Sequence, residues 1–187
     1  TIDQAVDAVL GGAREAGAGV QKVYLVDKQI EFCHNCRSCM QHPGPQRGAC
    51  VIQDEMAPLL DAIEAADAII FGSPMNFGTV TAVTKRFIER LACYAYWPWG
   101  QAAPQMRNHR LKKPAIVVAS SAAPAIMARL QTSMVPLMKK ATVVMGGKPT
   151  GVLFIGMAAA KAHPTVPERL LRKAYRMGQR LAHSVQR

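Results

Sequence analysis

Apolar residues in this chain switch repeatedly between a helical and an extended periodicity, and that alternation restricts the fold more than any other feature. Ile2, Ala5, Val6, Val9, Leu10 and Ala13 recur at helical spacing as far as Gly17 and Gly19, and Val20, Val23, Tyr24, Leu25 and Val26 then read as a strand. Beyond a cysteine-rich loop at 33–50, residues 54–65 place Met56, Leu59, Leu60 and Ile63 on one helical face, and residues 67–71 form a short apolar run ending at Gly72. The same reading predicts a helix over 80–91, an aromatic, proline-bearing loop over 93–104 and a strand over 114–119. It continues with a helix over 125–140, a strand-like 142–145, a strand over 151–155 and a last helix from Val166. Short runs that are apolar throughout suit strands buried on both faces, and strict alternation with helices implies an α/β fold with a central parallel sheet covered on both sides. Ligands of such open sheets bind beyond the carboxyl ends of the strands.

The sequence opens inside a helix. A doubly wound sheet starts with a strand and a phosphate-cradling turn before its first helix, and removing a central strand leaves backbone groups of its neighbours unpaired. The expectation is a single domain over 1–187 whose first strand and phosphate loop precede residue 1. No repeat, low-complexity tract or linker divides it.

About 50% of the 187 residues are hydrophobic, enough for one sizeable core, yet no run approaches the roughly 20 uncharged residues that span a bilayer. A net charge of +11 raises the question of a polyanionic partner. The densest basic stretch, 169–187, interleaves its charges with Leu170, Leu171, Tyr175, Met177 and Leu181, as the solvated face of a terminal helix does, so nucleic acid is not the expected partner. Four of the five cysteines fall between Cys33 and Cys50, unlike the dispersed pairs of a small secreted protein. Free thiolates of this kind fit a reducing, cytoplasmic setting.

The sharpest motif is Cys33-His-Asn-Cys36-Arg-Ser-Cys39, followed after ten residues by Cys50. Two successive two-residue gaps let three thiolates of one tight loop reach a single centre, the arrangement that holds cuboidal iron–sulfur clusters, with Cys50 as the fourth ligand. Pro43, Gly44 and Pro45 favour the turns that return Cys50 to the site. Four thiolates also satisfy a tetrahedral zinc, and thiols that bind no metal are the third reading. His34 and His42 read as bystanders and Cys93 as a lone loop or core thiol.

Two further loops follow predicted strands. Gly72-Ser-Pro-Met-Asn-Phe-Gly78 combines glycines that admit close approach, the hydroxyl of Ser73 and a helix start that directs backbone donors into the crevice. Ala119-Ser120-Ser121-Ala122-Ala123-Pro124 occupies the equivalent place after the next strand, with small residues and two hydroxyls. Each alone is also explained as a turn or a helix cap; together they predict a cofactor crevice.

The stretch from Cys33 to Met56, the run Ala68-Ile-Ile-Phe-Gly-Ser-Pro74, and Phe77-Gly78 through Lys85-Arg-Phe-Ile-Glu-Arg90 together resemble the NADPH-dependent FMN reductase family, and the four cysteines resemble its iron–sulfur flavoproteins. The resemblance covers most of the chain and is most distinctive in its middle. It implies a flavodoxin-like three-layer sandwich, FMN held by loops at the carboxyl edge of the sheet, and a [4Fe–4S] cluster exchanging electrons with the flavin. On that basis Ser73, Pro74, Met75, Asn76, Phe77 and Gly78 contact the isoalloxazine ring, Ser120, Ser121 and Ala122 line its other side, and Thr1 is the last residue of the phosphate loop. Cys33, Cys36, Cys39 and Cys50 are the implied metal ligands. Asn76 replaces a usual tyrosine, Glu89 a frequent aspartate, and the gap before Cys50 is longer than in most iron–sulfur members.

The function expected is therefore a flavin-dependent oxidoreductase passing electrons between FMN and a cluster. Two alternatives stand beside it: a cluster-free reductase of quinones, azo compounds or flavin that takes electrons from NAD(P)H, and a non-enzymatic cysteine-based sensor. No side chain presents itself as an acid, base or nucleophile for other chemistry. Tyr94, Tyr96, Trp97 and Trp99, if exposed, predict a homo-oligomer, since such rings are typical interface anchors.

Overall fold

The computed structural model describes residues 1–107, 113–159 and 162–186. Strand β5 (Lys113–Ser120) lies at its centre, buried from Ala115 to Ser120. Ile116, Val117 and Val118 suit the pleat, and with no polar side chain between Lys113 and Ser120 the middle of the strand has no face that tolerates water. It pairs in parallel with β1 (Ile69–Asn76) on one side and β6 (Gly147–Ile155) on the other. A two-residue strand, β2 (Thr79–Val80), pairs antiparallel with the end of β1, giving the order β2-β1-β5-β6.

Alternate residues of β5 serve opposite layers. Ala115, Val117 and Ala119 join Phe71 and Phe154 beneath α2 (Met56–Ala65), α3 (Ala82–Arg90) and α5 (Met134–Val144), which contribute Met56, Leu60, Phe87, Met134 and Met138. Ile116 and Val118 join Leu153 and Ile155 against α1 (Ile2–Glu15) and α6 (Glu168–Val185), through Ala5, Val9, Ala174 and Leu181. The expected three-layer α/β sandwich with a parallel sheet is the observed one. A short helix α4 (Ala125–Gln131) follows β5, and β3 (Ala95–Tyr96) with β4 (Gln105–Met106) makes a small antiparallel ribbon outside the main sheet.

Several boundaries differ from expectation. Residues 20–26 run without a ladder partner and end in a 3₁₀ turn, Leu25–Asp27. Among the described residues this segment joins no strand and instead packs Val23 and Leu25 against the core. The predicted helix over 125–140 is broken at Thr132. A continuous helix would drive the ring of Pro136 into the Thr132 carbonyl four residues back, whereas in the first turn of α5 its missing N–H costs nothing. Residues 142–144, expected as strand, complete α5, where Thr142 is fully buried and donates from Oγ1 to the Met138 carbonyl at 2.8 Å. Residues 72–76, expected as loop, are the last five of β1.

Helices α1 and α6 meet backbone to backbone. A Cβ on Gly12 would stand 2.0 Å from the Tyr175 carbonyl oxygen, and one on Gly178 would stand 1.9 Å from that of Val9. Gly178→Ala must push the helices apart and is expected to cost about 1–3 kcal/mol, seen as a fall in Tm by circular dichroism. An unchanged Tm would refute this close packing.

Candidate functional site

The carboxyl ends of the three parallel strands are level, with Pro74 opposite Ser120 and Ser120 opposite Ile155. Gly72 holds the start of α1 over this edge, because any Cβ there would press the Ile2 and Val6 methyls at 3.1 Å. Thr1 is the N-cap of α1, its carbonyl accepting from the Ala5 N–H at 3.2 Å. Beyond Asn76 the chain reverses through Phe77 and Gly78, both at positive φ (47° and 77°), a type I′ hairpin that projects Phe77 wholly into solvent.

The predicted crevice residues divide by orientation. Ser73 is 1% exposed, and its hydroxyl accepts from Thr84 Oγ1 at 3.1 Å and the Thr81 N–H at 3.4 Å, fixing the start of α3 to β1. Ser121 is also buried, donating from Oγ to the Ala123 carbonyl at 2.8 Å, while its N–H donates to Ile155 at 2.9 Å. Ser120 is buried and Met75 half-buried; Pro74, Asn76, Phe77, Gly78 and Ala122 are exposed along the edge.

The cysteine loop lies at the other end of α3. Cys33, Cys36, Cys39 and Cys50 line one small pocket with His34, Arg37, Met40 and Ala92. Asn35 and Arg37 adopt left-handed φ values of 53° and 58° on either side of Cys36, and a 3₁₀ turn, Ser38–Met40, presents Cys39. Gly48 returns the chain toward Cys50 by lying directly on the Cys39 carbonyl; a Cβ would stand 1.7 Å from that oxygen. Helix α3 has nine residues, so about 13 Å of helix separates the carboxyl edge from this pocket. The cysteine pocket thus lies off the carboxyl edge, because the segment that leads into it, residues 20–26, joins none of the described strands.

Arginines hold the loop. Arg107 donates from Nη2 to the Cys39 carbonyl at 3.1 Å, from Nη1 to Gly44 at 3.2 Å and from Nε to Ala95 at 3.1 Å. Arg37 lies 3.9 Å from the Trp97 ring centroid and 4.4 Å from that of Trp99, and donates to the Trp97 carbonyl at 2.6 Å. Arg90 forks onto Asp54 at 2.5 and 3.1 Å and approaches Cys50 Sγ at 3.6 Å. Burial would raise the Asp54 carboxyl pKa, but Arg90 and the backbone N–H groups of Glu31 and Met56 outweigh it, holding the group below its usual range.

The aromatic segment thus serves the loop. Tyr94 is 3% exposed and donates to Glu64 at 2.7 Å, Tyr96 and Trp97 are half-buried, and Trp99 alone of the four is mostly exposed, stacked on Arg37. The expected exposed aromatic interface is corrected: Glu64 holds Tyr94 inward, and Arg107 and Arg37 stack with the half-buried Tyr96 and Trp97. Arg37, Arg90, Asp54 and Arg107 were not among the predicted site residues. One signal was available for Arg90, which continues the buried stripe of Thr84 and Phe87 at three-residue spacing.

The thiols differ in chemistry. Cys36 is exposed, and the Ser38 hydroxyl donating to its sulfur at 3.5 Å lowers its pKa. Burial first, then the neighbouring Cys50, Cys33 and Cys36, raise that of Cys39, while burial pushes Cys93 up to about 12. Among the described residues, no three His, Cys, Asp or Glu side chains are grouped so as to hold a metal ion; the thiols ring the pocket. In metal-free protein, iodoacetamide should label Cys36 first and Cys93 last, and Ser38→Ala should slow Cys36 severalfold, read by peptide mass spectrometry. Equal rates at the two cysteines would contradict the assignment.

An iron-sulfur flavoprotein of Archaeoglobus fulgidus is 36% identical over 93 residues, 50% of this chain and 40% of that relative, so the chain spans less than half of that relative's length. The solved NAD(P)H:quinone oxidoreductase from Methanothermobacter marburgensis aligns with a TM-score of 0.66 at 19% identity, over 96% of this chain and 90% of that one. An FMN-dependent NADH-azoreductase from Bacillus anthracis str. Ames Ancestor, in complex with FMN, aligns with a TM-score of 0.63 at 10% identity, over 98% and 90%. At such identities the likeness is one of fold, and that fold is flavodoxin-like. The model of one family matches residues 2–160, and the chain belongs to it: the NADPH-dependent FMN reductase family.

Proposed function

We propose that this chain is the flavin- and cluster-binding part of an oxidoreductase, with FMN at the carboxyl edge of the sheet and a [4Fe–4S] cluster on Cys33, Cys36, Cys39 and Cys50. The observation that carries the reading is that all four cysteines of the spaced motif surround one pocket. Burial first, and then the three neighbouring cysteines, disfavour the thiolate of Cys39, a cost that a bound cationic centre relieves, and thiols ringing a pocket suit a many-atom cluster better than one zinc. When bound, FMN links two-electron donors such as NAD(P)H to one-electron steps, and an iron–sulfur cluster takes electrons singly.

The chain's own residues then have distinct tasks. The start of α1, with Thr1, turns its N–H groups and dipole toward the carboxyl edge, where a phosphate is favoured. Pro74, Met75, Asn76, Phe77 and Gly78 offer the ring-contacting surface on one side and Ala122 on the other, while the buried Ser120 and Ser121 shape the end of β5 beneath it and the inward hydroxyl of Ser73 ties β1 to α3. The second reading, a cluster-free reductase drawing on NAD(P)H, is favoured by the quinone oxidoreductase and azoreductase among the fold relatives. Reducing conditions, as in the cytoplasm, suit the five free thiols, and no described helix is long and apolar enough to cross a membrane.

Released cofactor identified as FMN by mass spectrometry, with about four irons and four sulfides per anaerobically purified chain, is the expected result. Cys36→Ser should remove the iron and leave most of the FMN. Flavin without iron would move the function to the cluster-free reductase, and a protein that takes up no FMN would defeat both readings.

We also propose that the protein self-associates through the apolar surface beside this edge. Ile126 and Leu130, one turn apart on α4, are 78% and 83% exposed. Hydrogen bonds from Thr132 to the Gly78 carbonyl and from the Met157 N–H to Ala123 bring the exposed Phe77 and Met157 alongside the two ends of α4. Leu130→Asp should shift a homo-oligomer toward monomer in light scattering at tens of micromolar. A wild-type monomer there would count against it.

A further inference from the structure

We infer that Arg90, held by Asp54, is the positioning residue that raises the reduction potential of the centre on Cys50. The inference rests on the cluster reading above. The side chains of Arg90 and Asp54 are 2% and 5% exposed, so their charges act with little screening by water. Arg90 has its place fully determined: Nη1 donates to the Glu31 carbonyl at 2.8 Å and to Asp54 Oδ2 at 2.5 Å, and Nη2 donates to Asp54 Oδ1 at 3.1 Å. Nη2 then also faces Cys50 Sγ at 3.6 Å.

The carboxylate is itself anchored by N–H donors of Glu31 at 2.8 Å and Met56 at 3.0 Å, so the pair cannot swing. The cation of this oriented pair faces the sulfur, with the carboxylate bound to the same guanidinium. Adding one electron to a cluster makes and breaks no bond but increases its negative charge, and donors and positive charge at a ligand sulfur favour that form. Arginine never deprotonates in this range, so its contribution is fixed. No other described cysteine has an arginine donating to its sulfur, which makes Cys50 the distinguished corner of the site.

A purely structural pair and an electrostatic one make different predictions. If Arg90 and Asp54 only hold the loop, replacing either loosens the same site in the same way. If Arg90 acts on the centre, neutralising it and neutralising its counter-charge have opposite signs. Midpoint potentials of the loaded centre, read by electron paramagnetic resonance during dithionite titration, separate the two, with the flavin of the same protein as internal reference.

Arg90→Gln should make reduction about tenfold less favourable, a fall of about 59 mV for one electron, and Asp54→Asn should make it more favourable by a comparable factor. Arg90→Lys, which keeps the charge but not the fork, should lie between wild type and Arg90→Gln. Shifts in the same direction for both neutralising variants, or iron-loaded variants with unchanged potentials, overturn the role of Arg90 and leave the cluster standing. Loss of iron from both Arg90 variants without a raised potential in Asp54→Asn overturns it as well. Wild-type protein with neither iron nor sulfide overturns the cluster reading and this inference with it.

Discussion

A buried ion pair between Arg90 and Asp54 closes the base of the cysteine loop. Asp54 lies four residues beyond Cys50 and binds the N–H of Glu31, two residues before Cys33, while Arg90 binds the Glu31 carbonyl from the last turn of α3. Both ends of an 18-residue excursion are thereby tied to one point of the helical layer. Two buried charges of this kind are costly unless every donor and acceptor is met, and removing one partner leaves the other uncompensated. Here the two charges meet each other and the backbone of Glu31 and Met56, which helps a long irregular loop without a core of its own to keep four thiols around one pocket.

Above that closure the loop is held from outside by backbone-directed arginines. Arg107 gathers the carbonyls of Cys39, Gly44 and Ala95, and Arg37 fills the space between Trp97 and Trp99. A guanidinium serves both tasks because it is flat enough to stack and carries donors in several directions. Gly48 completes the arrangement by letting the returning chain touch the Cys39 carbonyl, a contact that any side chain would prevent.

Helix α3 joins the two chemical regions. Its first turn is pinned to Ser73 at the carboxyl edge through Thr81 and Thr84, and its last residue is Arg90 at the cysteine pocket. A displacement of the helix along its axis therefore disturbs both ends. The buried stripe of Thr84, Phe87 and Arg90 prevents it, since Phe87 is packed against Phe71 in the middle of the core with ring centroids 5.9 Å apart.

Much of this was legible in the amino-acid order. Periodicity and burial on both faces marked β5, β6 and their covering helices as a parallel α/β sandwich, and the spacing of Cys33, Cys36, Cys39 and Cys50 foretold a shared pocket, because both signals are local: side chains a few residues apart point where the backbone period sends them. Pro136 already carried the break before α5, although its effect becomes visible only when the carbonyl four residues back is considered. Tertiary structure alone decided that residues 20–26 pack on the core without joining a described strand and that the Ser73 hydroxyl turns inward. It also placed the aromatic rings around Arg37, and Arg90 with Asp54 beside Cys50. The partners of the two arginines are 36 to 62 residues away in the chain, and whether a charge or hydroxyl meets water or such a partner depends on the packing of whole layers, which no local pattern encodes.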